Sequence, residues 1–299
     1  MNPLRIVIVG SGGRLGAALH RIYSGVYEVT GFDRKTLDLK SNADIESKLH
    51  GLSFDVLINC AALTNVDYCE DHGAEALQIN AHAVRALAEI CAKKNAKCIH
   101  FSTDYVFDGK ATKPYAETDP ALPISIYGES KLIGEKALLE VSAKNLAVRV
   151  SWVFGPDRPS FIDQVLKTAA TSGHVQAVAD KIGAPTFTLD VAAHLNPFLR
   201  DIAHGGLLHL SNTGECSWQE YGRFALECAE AAGLPLKTTE VTAQKLAELK
   251  AFKARRPVYT VLSTDLLAKL TGHPPRHWHD AVEDYVFNYY ALEHKPKGH

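Results

Sequence analysis

A glycine-rich segment at residues 10–16 places the tightest constraint on this chain. An apolar run at residues 5–9 precedes it, and Leu15, Leu19 and Ile22 then recur at helical spacing. The pattern predicts a strand, a tight loop and an amphipathic helix. Glycine lets such a backbone approach a pyrophosphate, and the N–H groups at the helix start favour an anion. We therefore predict a dinucleotide-binding loop, with a tight turn that binds no ligand as the alternative.

Strand and helix patterns alternate through the first half of the chain. Further strands are predicted at residues 27–32, 55–62, 97–102 and 146–154, and the clearest helical pattern covers residues 74–95. Continuously apolar strands are typical of a parallel sheet that helices cover on both faces. We therefore predict an α/β fold, with a doubly wound parallel Rossmann-type sheet and a smaller mixed α/β substrate-binding domain.

The predicted domains do not divide at a clean linker. We assign residues 1–155 to an NAD(P)-binding Rossmann domain, to which segments at about 174–212 return. The remainder of residues 156–299 is assigned mostly to the substrate-binding domain. Within it, a capping box at residues 217–220 predicts a helix to residue 232, and a final helix is expected over 278–292.

Charge and composition narrow the possible partners. The chain has 299 residues, with 32 Lys and Arg against 34 Asp and Glu, for a net charge of −2. A nucleic-acid partner would require a basic excess, so none is expected. No apolar run reaches the roughly 18 residues of a membrane span, and the first ten residues do not resemble a secretory signal. The six cysteines lack zinc-type spacing. We expect a cytoplasmic protein without a metal site.

The second predicted strand leads into Asp33 and Arg34. An acidic side chain there suits the ribose 2′-hydroxyl of NAD, whereas an arginine suits the 2′-phosphate of NADP. Because both residues are present, we predict NADPH or NADH as the cofactor, with dual or NADPH-leaning use as a hypothesis. A solvated charge pair is the alternative.

Tyr127 and Lys131 lie one turn apart on the same face of a predicted helix. A neighbouring ammonium favours the phenolate of a tyrosine, which otherwise titrates far above neutral pH, and it can also hold a nicotinamide ribose. A hydroxyl from Ser102 or Thr103, at the end of the fourth predicted strand, can donate to a substrate carbonyl. Together these residues predict a ketone or alcohol oxidoreductase site. A surface Tyr/Lys pair and a capped strand end are the alternatives.

The whole chain resembles the extended short-chain dehydrogenase/reductases, and among them the dTDP-4-dehydrorhamnose reductase family. The glycine loop and Y-x-x-x-K belong to the superfamily generally, whereas A-A-x-T-x-V-D-x-x-E, S-T-D-Y-V-F-D-G and G-A-P-T are particular to this family. The matching segments follow one another at residues 10–16, 59–70, 79–80, 101–109, 126–138, 148–155, 180–186 and 255–257.

This resemblance implies a catalytic triad of Thr103, Tyr127 and Lys131, with Thr103 rather than Ser102 in the hydroxyl role. Together with the loop, it assigns the cofactor to Gly10, Gly13, Arg14, Leu15, Gly16, Asp33, Arg34, Asp38, Leu39, Cys60, Ala61, Ala62, Tyr127 and Lys131. The residues implied for the substrate are Thr64, Val66, Thr103, Asp104, Tyr105 and Trp152. Cys60 departs from the small residue that is more usual there, although it fits sterically.

Arg255 and Arg256 are added to the substrate site because paired guanidinium groups suit phosphate oxygens. A solvated loop is the alternative reading of this pair. Some aromatic residues of the final predicted helix are more suited to packing, and a homodimer interface is a further possibility for them.

The implied reaction is hydride transfer from NAD(P)H to the 4-keto group of a nucleotide-linked deoxysugar, with Tyr127 protonating the oxygen. Two alternatives remain open at this stage. A non-catalytic NADP-binding subunit resembling the methionine adenosyltransferase β subunit would not need the triad. An epimerase or dehydratase of the same superfamily is the other, although Asp104-Tyr105 replaces the Asp-Glu pair that is typical of the dehydratases.

Overall fold

A computed structural model of the protein describes residues 3–201 and 204–295. The strands are β1 (Arg5–Val9), β2 (Glu28–Phe32), β3 (Val56–Asn59), β4 (Lys97–Thr103), β5 (Leu146–Val150), β6 (Val153–Phe154), β7 (Gln176–Val178), β8 (Ile182–Gly183), β9 (Thr186–Phe187), β10 (Gly206–His209), β11 (Cys216–Ser217) and β12 (Thr242–Gln244). The α-helices are α1 (Arg14–Tyr23), α2 (Asn42–His50), α3 (Val66–Asp71), α4 (Gly73–Leu77), α5 (Ala83–Lys93), α6 (Ile126–Val141), α7 (Phe161–Thr171), α8 (Thr188–Arg200), α9 (Trp218–Ala231), α10 (Asp265–Thr271), α11 (Trp278–Tyr285) and α12 (Ala291–His294). Short π-helical segments join α4 to α5 and α11 to α12.

Six parallel strands form the central sheet, in the order β10-β5-β4-β3-β1-β2. Alternate residues of β1 enter two different cores: Ile6 and Ile8 pack on one face, and Val7 and Val9 pack on the other. Helices α1 and α8 cover the first face, whereas α2 and α5 cover the second. The predicted α/β fold with a doubly wound parallel sheet is therefore confirmed.

One predicted strand is wrong in extent. The sequence predicts a single strand over residues 146–154, but β5 ends at Val150 and β6 pairs with β9 outside the central sheet. The backbone of Trp152 takes a φ of +43° between the two strands, and this left-handed residue turns the chain out of the sheet. The third strand is also shorter than predicted, because β3 ends at Asn59.

The later part of the chain builds a second, aromatic-rich core from α7, α9 and α11. The capping box that starts α9 is confirmed, since Ser217 and Glu220 each accept a hydrogen bond from the other's backbone N–H. Of the returning segments, β10 is the edge strand of the central sheet beside β5 and α8 packs on that sheet, whereas β7 pairs with β12. The domain limits given above stay a prediction. Within residues 3–201 and 204–295, no helix has the length and apolar character to cross a membrane.

A buried ion pair joins α6 to the central sheet. Arg149 on β5 donates from Nε to one oxygen of Glu135 at 2.9 Å and from a terminal nitrogen to the other at 2.7 Å. Only 3% and 4% of the two side chains are exposed, and the guanidinium also lies 5.0 Å from the centre of the Phe107 ring. Both carboxylate oxygens are therefore satisfied inside the protein.

Replacing Arg149 with methionine should lower the free energy of unfolding by about 3–5 kcal/mol, because Glu135 would remain buried without a partner. Urea unfolding measures this loss. The matched control is Arg85→Met, which breaks an exposed pair with Glu140 and should cost at most about 1 kcal/mol. Equal losses in the two variants would contradict a stabilising role for the buried pair.

Candidate active site

The predicted site residues lie at one edge of the central sheet. Because the strands are parallel, the ends of β1, β3, β4 and β5 lie side by side there. The glycine loop follows β1, the Cys60–Ala62 segment follows β3, and Asp104 follows β4. This is the edge at which open α/β sheets bind their ligands.

The glycine loop is closely packed against the segment after β3. A Cβ atom on Gly16 would lie 2.1 Å from the carbonyl oxygen of Gly10, and one on Gly10 would lie 2.7 Å from the backbone nitrogen of Ala61. Gly10 also has a φ of +86°. Helix α1 begins after Gly13 without a side-chain cap, so its first N–H groups are open to an anion. The loop therefore fits the pyrophosphate of a dinucleotide.

Asp33 lies beside this loop, at the end of β2. A Cβ atom on Gly12 would be 3.2 Å from the Asp33 Cβ. The Oδ1 atom of Asp33 accepts hydrogen bonds from the Thr36 hydroxyl at 2.9 Å and from the Lys35 N–H at 3.0 Å. The bonds from Thr36 and Lys35 lower the pKa of Asp33, so the carboxylate is charged at neutral pH. Arg34 is exposed at the same corner.

Hydrogen bonds from two arginines join the loop after β6 to the glycine loop. Arg14 donates to the carbonyl oxygens of Val153 and Arg158, at 3.2 and 3.3 Å, and to that of Pro159. In return, Arg158 donates from Nε to the carbonyl oxygen of Gly12 at 3.0 Å. Arg158 was not predicted as a site residue, because no local pattern marks a residue that pairs with another 146 positions away.

The other predicted cofactor residues surround the loop. Leu39 is buried in the core on the sheet face that α2 and α5 cover, and Ala61 packs against the same core. The backbone N–H of Asp38 donates to Asp44 at 2.8 Å. The Cys60 N–H donates to the Val9 carbonyl at 2.8 Å. Burial raises the pKa of the Cys60 thiol, which is therefore uncharged at neutral pH. A neutral, small side chain agrees with the steric fit expected for this departure.

Tyr127 is held in place by the packing of α6 on the segment after β4. A Cβ atom on Gly128 would lie 2.2 Å from the Tyr105 carbonyl oxygen, so the absence of a side chain there permits the close contact. The Tyr127 ring packs edge-on against Tyr105 at 5.6 Å and is 9% exposed. Burial raises the pKa of Tyr127, and a hydrogen bond with Thr103 acts in the opposite direction.

Lys131 lies one turn further along α6, as predicted, and its contacts involve β4. Its Nζ donates to the carbonyl oxygen of Phe101 at 2.6 Å and lies 3.0 Å from Nε2 of His100. The side chain is 1% exposed, and burial lowers the pKa of Lys131 to about 7. Burial therefore weakens the preference of Lys131 for the ammonium form that the sequence predicts.

On the side predicted for the substrate, Asp104 accepts hydrogen bonds from two hydroxyl groups. Its oxygens accept from Thr103 at 3.1 Å and from Ser151 at 3.2 Å, and its side chain is buried. Burial raises the pKa of Asp104, and the nearby charge of Lys181 opposes this. Ser102, by contrast, has a buried hydroxyl without a hydrogen-bond partner among the residues described. Thr103 is thus the hydroxyl that the structure connects to the cluster.

Trp152 and Tyr105 form an aromatic wall around the buried Lys181. The Lys181 Nζ lies 5.0 Å from the centre of the Tyr105 ring and 5.9 Å from that of Trp152, and it donates to the Pro257 carbonyl at 2.6 Å. The indole N–H of Trp152 is buried, with no acceptor within the described part of the chain. Lys181 was not predicted as a site residue, although it lies in the family-matching segment at residues 180–186.

Val66 packs on the same small cluster as Tyr105 of this wall. Val66 packs on the small cluster that contains Tyr127, whereas Thr64 is exposed. The structure thus brings Val66, Tyr105 and Tyr127 together.

Arg256 has a different contact from the one predicted. Its guanidinium binds both oxygens of Asp67, at 2.6 and 3.1 Å, and it stacks at 3.5 Å on Phe252. The Arg256 side chain is 8% exposed, and its hydrogen bonds lower the pKa of Asp67 to about 2. Arg255 is exposed beside it. Because Asp67 already occupies the fork of Arg256, a phosphate contact of this pair stays a prediction.

Asn59 and His100 are functional candidates that the sequence analysis missed. Both are fully buried at the active-site edge, on β3 and β4, and His100 contacts Lys131. Asn59 ends the otherwise apolar β3, and His100 lies between the apolar residues Ile99 and Phe101 of β4. Because buried polar groups need internal partners, this interruption of the apolar pattern is a signal that could have found them.

Known proteins resemble the chain over nearly its whole length. The family model for the RmlD substrate binding domain matches residues 4–291. The spore coat polysaccharide biosynthesis protein SpsK of Bacillus subtilis is 34% identical, with 94% of this chain and 96% of SpsK covered. A dTDP-4-dehydrorhamnose reductase of Sinorhizobium fredii is 31% identical, with 95% and 97% covered.

The fold also matches that of a solved structure. The crystal structure of dTDP-4-dehydrorhamnose reductase from Bacillus anthracis in complex with NADP has a TM-score of 0.89 and 30% identity, and the match covers 96% of this chain and 100% of that one. The family resemblance seen in the sequence is therefore confirmed. The chain belongs to the RmlD substrate binding domain family.

Proposed function

We propose that the chain reduces the 4-keto group of a dTDP-deoxysugar, converting dTDP-4-dehydro-L-rhamnose to dTDP-L-rhamnose in rhamnose and cell-surface polysaccharide biosynthesis. The observation that carries the proposal is the convergence of Thr103, Tyr127 and Lys131 at the sheet edge beside the glycine loop. The names of the relatives support the same reaction.

The cofactor is NADPH or NADH. The glycine loop and the open N-terminus of α1 would hold its pyrophosphate, and Asp33 and Arg34 would meet the adenosine ribose. Lys131 and the Cys60–Ala62 segment would lie along the nicotinamide half. A bound reduced nicotinamide supplies the hydride. A related reductase was solved with NADP.

Tyr127 supplies the proton. Its pKa is raised by burial, so the phenol is protonated at neutral pH and can act as an acid. As the ketone carbon receives the hydride, the Tyr127 O–H bond breaks and the proton passes to the ketone oxygen. The phenolate then regains a proton from solvent. Thr103 orients the reacting oxygen, and the hydrogen bonds of Asp104 fix the position of Thr103.

The substrate is a nucleotide sugar, held by Thr64, Val66, Asp104, Tyr105 and Trp152. Further parts of the proposal are a cytoplasmic location and a possible homodimer, with neither a membrane nor a nucleic acid as a partner.

The direct test is oxidation of NADPH and of NADH by the purified protein with dTDP-4-dehydro-L-rhamnose, followed by absorbance. Formation of dTDP-L-rhamnose is the expected outcome. A folded sample that binds the cofactor but oxidises none would overturn the proposal, and would instead favour a regulatory, non-catalytic subunit.

Tyr127→Phe should lower turnover by about 10²–10⁴-fold while NADPH affinity is nearly unchanged, because only the proton donor is lost. Lys131→Met should lower both turnover and NADPH affinity, since Lys131 is assigned to both the acid and the ribose. Steady-state kinetics and fluorescence titration measure the two effects. Tyr27→Phe, which loses only a surface hydrogen bond to Asn196, is the control. Full turnover in Tyr127→Phe would show that Tyr127 is not the proton donor.

Gly16→Ala should weaken NADPH binding by at least roughly 10-fold, because the new methyl group would collide with the Gly10 carbonyl and displace the loop. Gly51→Ala is the matched control, since a Cβ atom at Gly51 meets nothing within 4 Å. Fluorescence titration compares them. Equal affinities in both variants would show that the loop does not bind the cofactor.

Arg34→Ala should raise the Michaelis constant for NADPH by roughly 10- to 100-fold and leave that for NADH almost unchanged, since only NADPH carries the 2′-phosphate. Lys35→Ala, at the next position, serves as the control. Unchanged NADPH kinetics in Arg34→Ala would refute the part given to Arg34.

A further inference from the structure

The loop at residues 155–159, which follows β6, lies along α1, and the proposed reaction gives it no role. Arg14, the first residue of α1, donates to the carbonyl oxygen of Arg158 at 3.3 Å. Further along the same helix, Arg21 binds both carboxylate oxygens of Asp157, each at 2.9 Å. The loop is therefore attached to the helix whose first N–H groups are open to an anion.

Arg158 of this loop reaches the glycine loop itself. Its Nε donates to the carbonyl oxygen of Gly12 at 3.0 Å. Because a guanidinium group is planar and rigid, both terminal nitrogens of Arg158 also lie next to the glycine loop. Within residues 3–201 and 204–295, the N–H groups of these two nitrogens have no acceptor. The side chain is exposed, so these donors are accessible to a ligand.

Arg14 is the other arginine at this position, and its donors are already used. Its Nε and both terminal nitrogens donate to the backbone carbonyls of Val153, Arg158 and Pro159. It is the only charged residue at positions 10–16. Arg158 therefore adds a cation with free donors to a loop that otherwise offers an anion its backbone N–H groups.

The position of Arg158 relative to the sheet indicates which phosphate it meets. Asp33 and Arg34, which are assigned to the adenosine ribose, follow β2 on one side of β1. Tyr127 lies on the other side, because α6 packs on β4 and β5. The chain arrives at Arg158 from β5 and β6, which is also the side of Tyr127. Between the two halves of a dinucleotide, at the glycine loop after β1, lies its pyrophosphate.

We propose that Arg158 is a cofactor-binding residue, whose terminal nitrogens bind the pyrophosphate oxygens of NAD(P)H. Two phosphate oxygens match the fork of a guanidinium group, and such hydrogen bonds are charge-assisted. Since Gly12 already holds the Nε of Arg158, little side-chain freedom is lost on binding. Asp157 does not compete for Arg158, because Arg21 binds both of its oxygens. The inference rests on the proposed function for the cofactor alone.

Binding of ADP-ribose to the purified protein, measured by isothermal titration calorimetry, tests the inference without any reaction. ADP-ribose contains the pyrophosphate and lacks both the nicotinamide and the 2′-phosphate. Arg158→Met should raise the dissociation constant for ADP-ribose by about 10- to 100-fold, and those for NADH and NADPH by a similar factor. Binding to this variant should also weaken less steeply with added salt than binding to the unaltered protein, because an ionic contact has been lost.

Arg21→Met is the matched control. It also removes an exposed arginine and releases the same loop at Asp157, but it takes no donor from the pyrophosphate. The dissociation constant for ADP-ribose should therefore change by less than about 3-fold, with the same salt dependence as in the unaltered protein. Arg158→Lys keeps the charge without the planar fork, and it should bind ADP-ribose with intermediate affinity.

Three results would overturn the inference. The first is an equal affinity for ADP-ribose in Arg158→Met and in the unaltered protein. The second is an equal loss in Arg21→Met, which would show that only the attachment of the loop matters. The third is a loss confined to NADPH, which would assign Arg158 to the 2′-phosphate.

Failure of the proposed function has a different signature. It would appear as dinucleotide binding that depends on Arg158, without reduction of the dTDP-sugar. Reduction of the sugar with full ADP-ribose affinity in Arg158→Met would instead contradict the role of Arg158 alone. If the unaltered protein bound neither ADP-ribose nor NADH, both proposals would fail.

Discussion

Hydrogen bonding inside a dry interior is the constraint on which this protein depends. Both faces of the parallel sheet are covered, so a polar side chain on an inner strand cannot reach water and has to find its partner within the fold. Asn59, His100 and Arg149 all lie on such strands, and each has a partner on a neighbouring element. The need for internal hydrogen-bond partners therefore aligns the strand ends with α6. The candidate site lies where the strand ends and α6 meet.

Close backbone contacts position both parts of the candidate site. Gly16 and Gly10 allow α1 to pack on its own loop, and Gly128 allows α6 to pack on Tyr105. Each contact leaves no room for a Cβ atom. The position of α1 on its loop and that of α6 on the segment after β4 are therefore each set by backbone atoms, which are much less adaptable than long side chains.

Several parts of this arrangement were predictable from local patterns. The strand, loop and helix at residues 5–23 and the capping box of α9 depend on neighbouring residues, and the structure contains both. The break between β5 and β6 was not predictable, because the apolar run continues through Trp152 while its backbone turns away. The pairing of Arg256 with Asp67 was also missed, since the two residues are 189 positions apart.

The sequence by itself determined the fold class, the position of the glycine loop and the one-turn spacing of Tyr127 and Lys131, because these follow from periodicity and from the conformational freedom of glycine. Only the tertiary structure decided which groups surround Lys131. The Lys131 amine lies against His100 and the Phe101 carbonyl on β4, and these distances exist only once α6 has packed on the sheet. The spacing predicted an ammonium, and burial, which only the fold creates, lowers the pKa of Lys131 to about 7.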